Sequence, residues 1–446
     1  MEFRRKIYNQ IKEWKEEKNK NSALLIEGAR RVGKTTIVKE FAKNEYNDSI
    51  YIDFTYATDE IKKLFRKINP AKPLSMDQFF SDLFLLCEKD LKKGDLIIFD
   101  EVQHFPLARQ AIKALVADGR FDYIETGSLI SIRENTKDIQ IPSEERRIEM
   151  HPMDFEEFCW AFGWNDKCSM LRDISNGHKT ISENVHRQLM DDFRLYLSLG
   201  GMPKVISLYQ ETNSFMRCEK EKQDILKLYD DDLRKHDNKC NTRTLNIYDS
   251  MLPALKSWSK RVKMKCKSEN MRRAFQRSLK DLEDSKIVNS VYRSSDLSFG
   301  SFMKEENGFK LYPLDVGLML SSLIGDVNED CENTYLKIRT GNLDGANFGC
   351  LYESLVAQSL VCNERKVYYH TFVYNDKRYE IDFVSFIKGK MNAIEVKSTK
   401  RFTTSSLSTL KLKYPQLKFN NIVISPKNLS YDNDTTYLPI YMTFLL

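Results

Sequence analysis

No apolar run in this 446-residue chain approaches the ~18 residues that a membrane-spanning helix needs. The start, Met-Glu-Phe-Arg-Arg-Lys, is basic but has no apolar stretch behind it, so a cleaved signal is not expected. The nine cysteines are an odd, scattered set with no Cys-x-x-Cys pair. That argues for reduced thiols in a cytoplasm and against a zinc ribbon or a disulfide framework. The six histidines (104, 151, 178, 186, 236 and 370) do not cluster, and no G-x-S-x-G elbow occurs. No internal repeat stands at a fixed period. Charge of one sign is scarce too: Lys plus Arg is 70 against 64 Asp plus Glu, a net +6. Any nucleic-acid surface must therefore be a local patch.

What is present is a globular composition, 41% hydrophobic and 30% charged, which rules out global low-complexity disorder. At about 150 residues per domain the length allows roughly three domains. Phe3, Ile7, Ile11 and Trp14 share one face of a lead-in helix. Short apolar runs at 23–26, 49–54, 96–99, 123–126 and 147–150 then alternate with helical patterns, the signature of a parallel α/β sheet. From about 153 to 285 the pattern is helical, broken at Pro152, Gly200-Gly201-Met202-Pro203 and Pro253. Residues 286–293 and 309–312 read as two strands, and the polar stretch 325–345 as a linker. A helix over 348–362 leads into strand-like runs at 366–373, 378–387, 391–396, 421–425 and 439–444, with a helix near 405–413.

Between the first strand and the helix after it lies Gly28-Ala29-Arg30-Arg31-Val32-Gly33-Lys34-Thr35, a match to G-x-x-x-x-G-K-[ST]. Glycines let the backbone wrap phosphate oxygens with its N–H groups pointing inward, and the helix N-terminus adds partial positive charge. Lys34 reaches the β- and γ-phosphates, Thr35 offers a hydroxyl to Mg²⁺, and Thr36 completes the phosphate-binding set. ATP and Mg²⁺ are the expected cofactors. The apolar strand Leu96-Ile97-Ile98-Phe99 ends in Asp100-Glu101. Asp100 is the candidate magnesium residue and Glu101 the candidate that polarises the attacking water. Ser128, after Glu125-Thr126-Gly127, is a candidate for the γ-phosphate or that water, although an ordinary turn serine fits the same residues.

These residues resemble the ATPase domain of the AAA+ and related signal-transduction NTPases, over roughly 1–205. Asp-Glu-Val-Gln (100–103), Gly127-Ser128 and Pro152-Met153-Asp154-Phe155-Glu156-Glu157-Phe158 resemble one AAA-type branch, whose members carry a C-terminal restriction-endonuclease-like domain. The resemblance implies that Gly200-Gly201-Met202-Pro203 lies near the adenine. It supplies no unambiguous arginine finger; Arg120, Arg133, Arg146 and Arg147 are the candidates. A homo-oligomer is an open expectation.

Residues 251–280 hold ten Lys or Arg and one acid, Glu269, a local +9. Met271, Phe275, Leu279 and Leu282 put an apolar stripe on a helix with a basic outer face, capped by Ser268. With the two strands that follow, residues 206–325 read as a helical lid and winged-helix-like region, and the basic 256–280 segment as a DNA contact. A structural winged helix with a solvated basic face is the other reading.

Asp382 lies in an alternating strand, and Glu395 and Lys397 follow on one face of another. In a hairpin the two carboxylates would meet, and Mg²⁺ or Mn²⁺ would relieve their repulsion. Lys397 could stabilise developing charge or position a water, and Glu353 on the preceding helix could add a third carboxylate. This D…E-x-K pattern after a helical Glu resembles the PD-(D/E)XK nuclease fold, over 345–446. The resemblance implies Glu353, Asp382 and Glu395 as metal ligands and Lys397 as the catalytic lysine. Three functions follow: an ATP-dependent, DNA-acting protein with a cutting domain, a nucleotide-operated switch whose nuclease-like domain is inactive, or DNA binding without cleavage.

Overall fold

The computed structural model describes residues 3–17, 21–69, 72–73, 75–127, 144–236, 243–257, 260–262, 268–294, 296–297, 304–325, 329–342, 345–387, 389–432 and 434–446. These group into two units, residues 1–151 with 284–286, and 152–283 with 287–446.

The first unit is built on β1 (Ala23–Glu27), β2 (Ser49–Asp53), the short antiparallel ladder of β3 (Ile68–Asn69) and β4 (Lys72–Pro73), β5 (Leu96–Asp100), β6 (Asp122–Gly127) and β7 (Glu145–Glu149). Strands β2, β5, β6, β1 and β7 lie in that order in one sheet, and every pairing is parallel. All five residues of β1 and of β5 are buried, as strands covered on both faces require. An aromatic core of Phe54, Phe65, Phe79, Phe80, Phe99 and Phe105 packs against the sheet. The lead-in helix Ile7–Lys15 buries the expected Ile7, Ile11 and Trp14.

The second unit starts at Pro152. Asp154 and Glu157 make a reciprocal capping box, so Pro152–Phe158 is the start of the helix Phe155–Ala161. Gly200 and Gly201 end the helix Glu183–Leu199. The backbone of Gly200 is left-handed (φ 77°), and a Cβ there would stand 2.3 Å from Asp315 Oδ1 and 2.7 Å from Gly317 Cα. Asp315 Oδ2 accepts the Gly201 amide at 2.6 Å. Residues 152–205 thus pack with the second unit. Tyr196 donates to Met153 O at 2.9 Å and receives Gln358 at 3.2 Å, and His186 meets Tyr441 at 3.0 Å.

Eight strands complete this unit: β8 (Val288–Ser294), β9 (Lys304–Pro313), β10 (Tyr368–Tyr374), β11 (Lys377–Ile387), β12 (Lys390–Val396), β13 (Asn420–Ser425), β14 (Ser430–Asp432) and β15 (Thr435–Pro439). Their spatial order is β14-β15-β13-β12-β11-β10-β8-β9. β10, β11 and β12 form an antiparallel meander, and β13 joins β12 in parallel after the helix Ser405–Lys413.

Three expectations change here, one of them the run 439–444, which is the last residue of β15 followed by the 3₁₀ helix Ile440–Leu445 and not a strand. The hairpin read as a wing, β8 and β9, is the edge of this sheet, because β8 pairs in parallel with β10. The supposed linker 325–345 contains the helix Glu329–Thr340. Cys331, Tyr335 and Ile338 are spaced i, i+4, i+7 and are all but inaccessible, a helical stripe hidden among acidic and polar neighbours. Among the described residues no helix is long and apolar enough to cross a membrane.

Candidate nucleotide site and a second charged centre

The loop from Gly28 to Gly33 joins β1 to the helix Lys34–Glu45. Gly28 (φ 154°) passes so close to the end of β7 that a Cβ would lie 2.4 Å from Met150 O. Gly33 (φ 104°) turns the chain into the helix. Ala29, Arg30, Arg31 and Val32 span the turn between them, with Arg31 itself left-handed. Lys34 Nζ donates to Gly28 O and Ala29 O, both at 2.9 Å, so the ammonium reaches back across its own loop. Burial pushes the Lys34 pKa down, while Glu101 and Asp100 pull it up. Thr36 is exposed on the first helical turn.

The order β2-β5-β6-β1 brings Asp100 beside the loop. Its Oδ2 accepts Thr35 Oγ1 at 2.9 Å and Tyr51 OH at 2.5 Å, and its Oδ1 accepts the Thr126 hydroxyl. Glu101 follows in a left-handed conformation (φ 54°), uncommon outside glycine and found at functional turns. Its carboxylate accepts from Gln103 Nε2. Lys34, Thr35, Asp100 and Glu101 therefore converge as the motif requires. Tyr51, Thr126 and Gln103 were not legible in the sequence, because what joins them to Asp100 and Glu101 is strand order and a short 3₁₀ turn. Ser128 and Arg133 lie outside the described residues. Arg120 is held by Asp118 (2.6 Å) and Asp77 (2.7 Å), Arg146 by Glu17 (3.3 Å) and Arg147 by Glu145 (2.7 Å).

The second unit holds the other predicted residues. Phe383 opposes Ile394 in the β11–β12 ladder, so Asp382 and Glu395 are the next cross-strand pair, on one face. Asp382 Oδ2 accepts the Val396 amide at 2.9 Å. Burial, with help from the Glu353 charge, pushes Asp382 up to about 7. Glu353, on the helix Gly345–Cys362, takes Lys260 on Oε1 and Tyr312 OH on Oε2 at 3.2 Å. Lys397 lies 2.8 Å from Glu395 Oε2, an ion pair without hydrogen-bond alignment. Lys310 and Arg261 hold Glu380 at 2.7 and 2.9 Å. Among the described residues no group of three His, Cys, Asp or Glu side chains is arranged to hold a metal ion.

Residues 20–159 match the family model described as a AAA domain. With the loop, the Asp100 strand and the parallel sheet, the first unit has the α/β fold of a P-loop NTPase. Residues 190–329 and 348–443 match two further models, both described as domains of unknown function (DUF8612 and DUF4143). No curated protein matches the chain. Among solved structures, the chain is similar to the Walker-type ATPase PABY2304 of Pyrococcus abyssi, at 16% identity over 72% of this chain and 96% of that one, with a TM-score of 0.38. Drosophila ORC bound to AT-rich DNA and Cdc6 matches at 15% identity over 71% and 89%, with a TM-score of 0.22. Cdc6p of Pyrobaculum aerophilum matches at 14% identity over 72% and 88%, also with a TM-score of 0.22.

Proposed function

We propose that this chain is a Mg²⁺-dependent, ATP-binding and ATP-hydrolysing AAA-type protein that acts on DNA. The observation that carries the reading is the convergence of Lys34, Thr35, Asp100 and Glu101 at one end of the parallel sheet. The loop amides and Lys34 would hold the triphosphate, and Thr35 with Asp100 would hold Mg²⁺. The donor set fits: two oxygen ligands of the hard type the ion prefers, beside an ammonium released from two carbonyls when phosphate arrives. When bound there, Mg²⁺ would supply positive charge against that of the triphosphate. Glu101, fixed by Gln103, orients a water and takes its proton. Steady-state turnover tests the reading. Lys34→Ala should abolish it, and Glu101→Gln should cut it ~100-fold or more while ATP still binds. Wild-type turnover in either variant would refute it.

The DNA part rests on the helix Glu269–Asp284, whose Arg273, Arg277 and Lys280 are exposed at i, i+4, i+7. Residues 345–446 we read as a PD-(D/E)XK-like domain, supported by the order helix, antiparallel meander, helix, parallel strand and by Asp382 opposite Glu395. Glu353, Asp382 and Glu395 are its proposed metal residues and Lys397 its proposed catalytic lysine. One observation favours the version that does not cut: Lys260 already neutralises Glu353. The protein is then a nucleotide-operated switch, and a Mg²⁺-dependent cleavage assay, with and without ATP, decides. Cutting by wild type but not by Glu395→Ala would exclude the inactive version.

A further inference from the structure

We propose that Lys260 is the resident cation of the Glu353–Asp382 centre, and that a divalent ion enters only by displacing its ammonium. The inference deepens the reading of 345–446 as a nuclease-like domain that does not cut as it stands.

Four carboxylates gather on this part of the second unit: Glu353, Glu380, Asp382 and Glu395. Four cations meet them: Lys260 on Glu353, Lys310 and Arg261 on Glu380, and Lys397 on Glu395. With all four carboxylates ionised the set is neutral without a metal, and a proton held on Asp382 only adds positive charge. A divalent ion added to it would leave two uncompensated positive charges, in a place where Glu353 is 3% exposed and Glu395 1%. Each such charge costs several kcal/mol. Both Glu353 oxygens are already occupied as well, one by Lys260 and one by Tyr312. A metal that uses Glu353 therefore needs one of the four cations to leave.

Geometry selects which one. The Lys310 side chain is wholly buried, within β9. Arg261 and Lys397 serve Glu380 and Glu395, not the Glu353–Asp382 pair. Lys260 serves that pair and keeps 28% of its side chain exposed. It belongs to no helix or strand, and its backbone is left-handed (φ 50°), a conformation that costs a residue with a Cβ roughly 1 kcal/mol or more. The exit of its ammonium thus breaks no helix or strand. In sequence it precedes by eight residues Ser268, the cap of the basic helix proposed to meet DNA.

Manganese binding to the nucleotide-free full chain tests this, read by calorimetry and by the EPR signal of free Mn²⁺. Lys260→Met should bind Mn²⁺ at least about tenfold more tightly than wild type, and the added Asp382→Asn should abolish the gain. Lys260→Arg should behave as wild type. Lys260→Gln replaces Met if the Met variant does not fold. Affinity in the neutral variants no greater than in wild type would overturn the proposal, as would tight wild-type binding that Asp382→Asn removes. The cleavage assay separates the two readings. A manganese gain with no cutting by any variant defeats the nuclease reading alone. Cutting by wild type defeats the reading that the domain is inactive, whereas a missing gain in Lys260→Met defeats the Lys260 proposal alone.

Discussion

Asp100 carries three hydroxyls, and only one of them belongs to a motif. Thr35 was legible because it stands next to Lys34. Tyr51 and Thr126 were not, since each reaches Asp100 only after β2 and β6 flank β5. Tyr51 shares Oδ2 with Thr35, so its hydroxyl fixes the rotamer of Asp100, the proposed magnesium residue. Tyr51→Phe removes a hydrogen bond to a charged group, worth ~1.5–3 kcal/mol at most. The Mg²⁺ concentration for half-maximal ATP turnover should rise several-fold in this variant. ATP binding in EDTA should not change. Equal magnesium dependence would show that Thr35 and Thr126 suffice.

At the second centre the residue-scale consequence is a pH dependence. Asp382 is raised to about 7, first by burial and then by Glu353. An unfolded aspartate titrates near 4. Between about 4 and 7 the folded chain therefore holds a proton that the unfolded chain has lost. Stability contributed by this group falls as pH rises through that window. Asp382→Asn, which cannot ionise, should gain on wild type in thermal midpoint as pH goes from 4 to 8. Parallel curves for the two proteins would contradict the shift.

Elements show where local pattern is enough and where it fails. The parallel strands announce themselves as short apolar runs ending in glycine or acid, and the alternating strands β11 and β12 were readable for the same reason. The helix Glu329–Thr340 was hidden, because its three buried side chains are outnumbered by polar ones on its open faces. The Gly200-Gly201 break looked like a turn, or an adenine contact by resemblance. The fold presses it against Asp315 and Gly317, more than a hundred residues on, a pairing that no local window contains. Gly200→Ala joins a positive φ to a buried clash and should cost about 2–4 kcal/mol. Urea denaturation should show a lower midpoint with an unchanged slope. A loss under about 0.5 kcal/mol would mean that the helix junction relaxes freely.

For the whole molecule, a net charge of +6 says little, whereas the local basic helix makes a quantitative claim. Neutralising Arg273, Arg277 and Lys280 together should weaken duplex binding. It should also flatten the slope of log affinity against log salt by about 2–3, near 0.9 per lost phosphate contact. An unchanged slope would assign DNA contact to another surface. The matched family models run over 20–159, 190–329 and 348–443. The three-dimensional grouping is twofold, because β8 and β9 complete a sheet that the last hundred residues begin. Long-range pairing of that kind leaves no trace in local periodicity.

The central claim is that the chain near residue 30 grips a triphosphate. Calorimetric titration of Mg·ATP into wild type and Lys34→Ala tests it most directly. The account predicts a saturable one-site heat for wild type and none for the variant. Equal heats in both, or no heat in either, would contradict it.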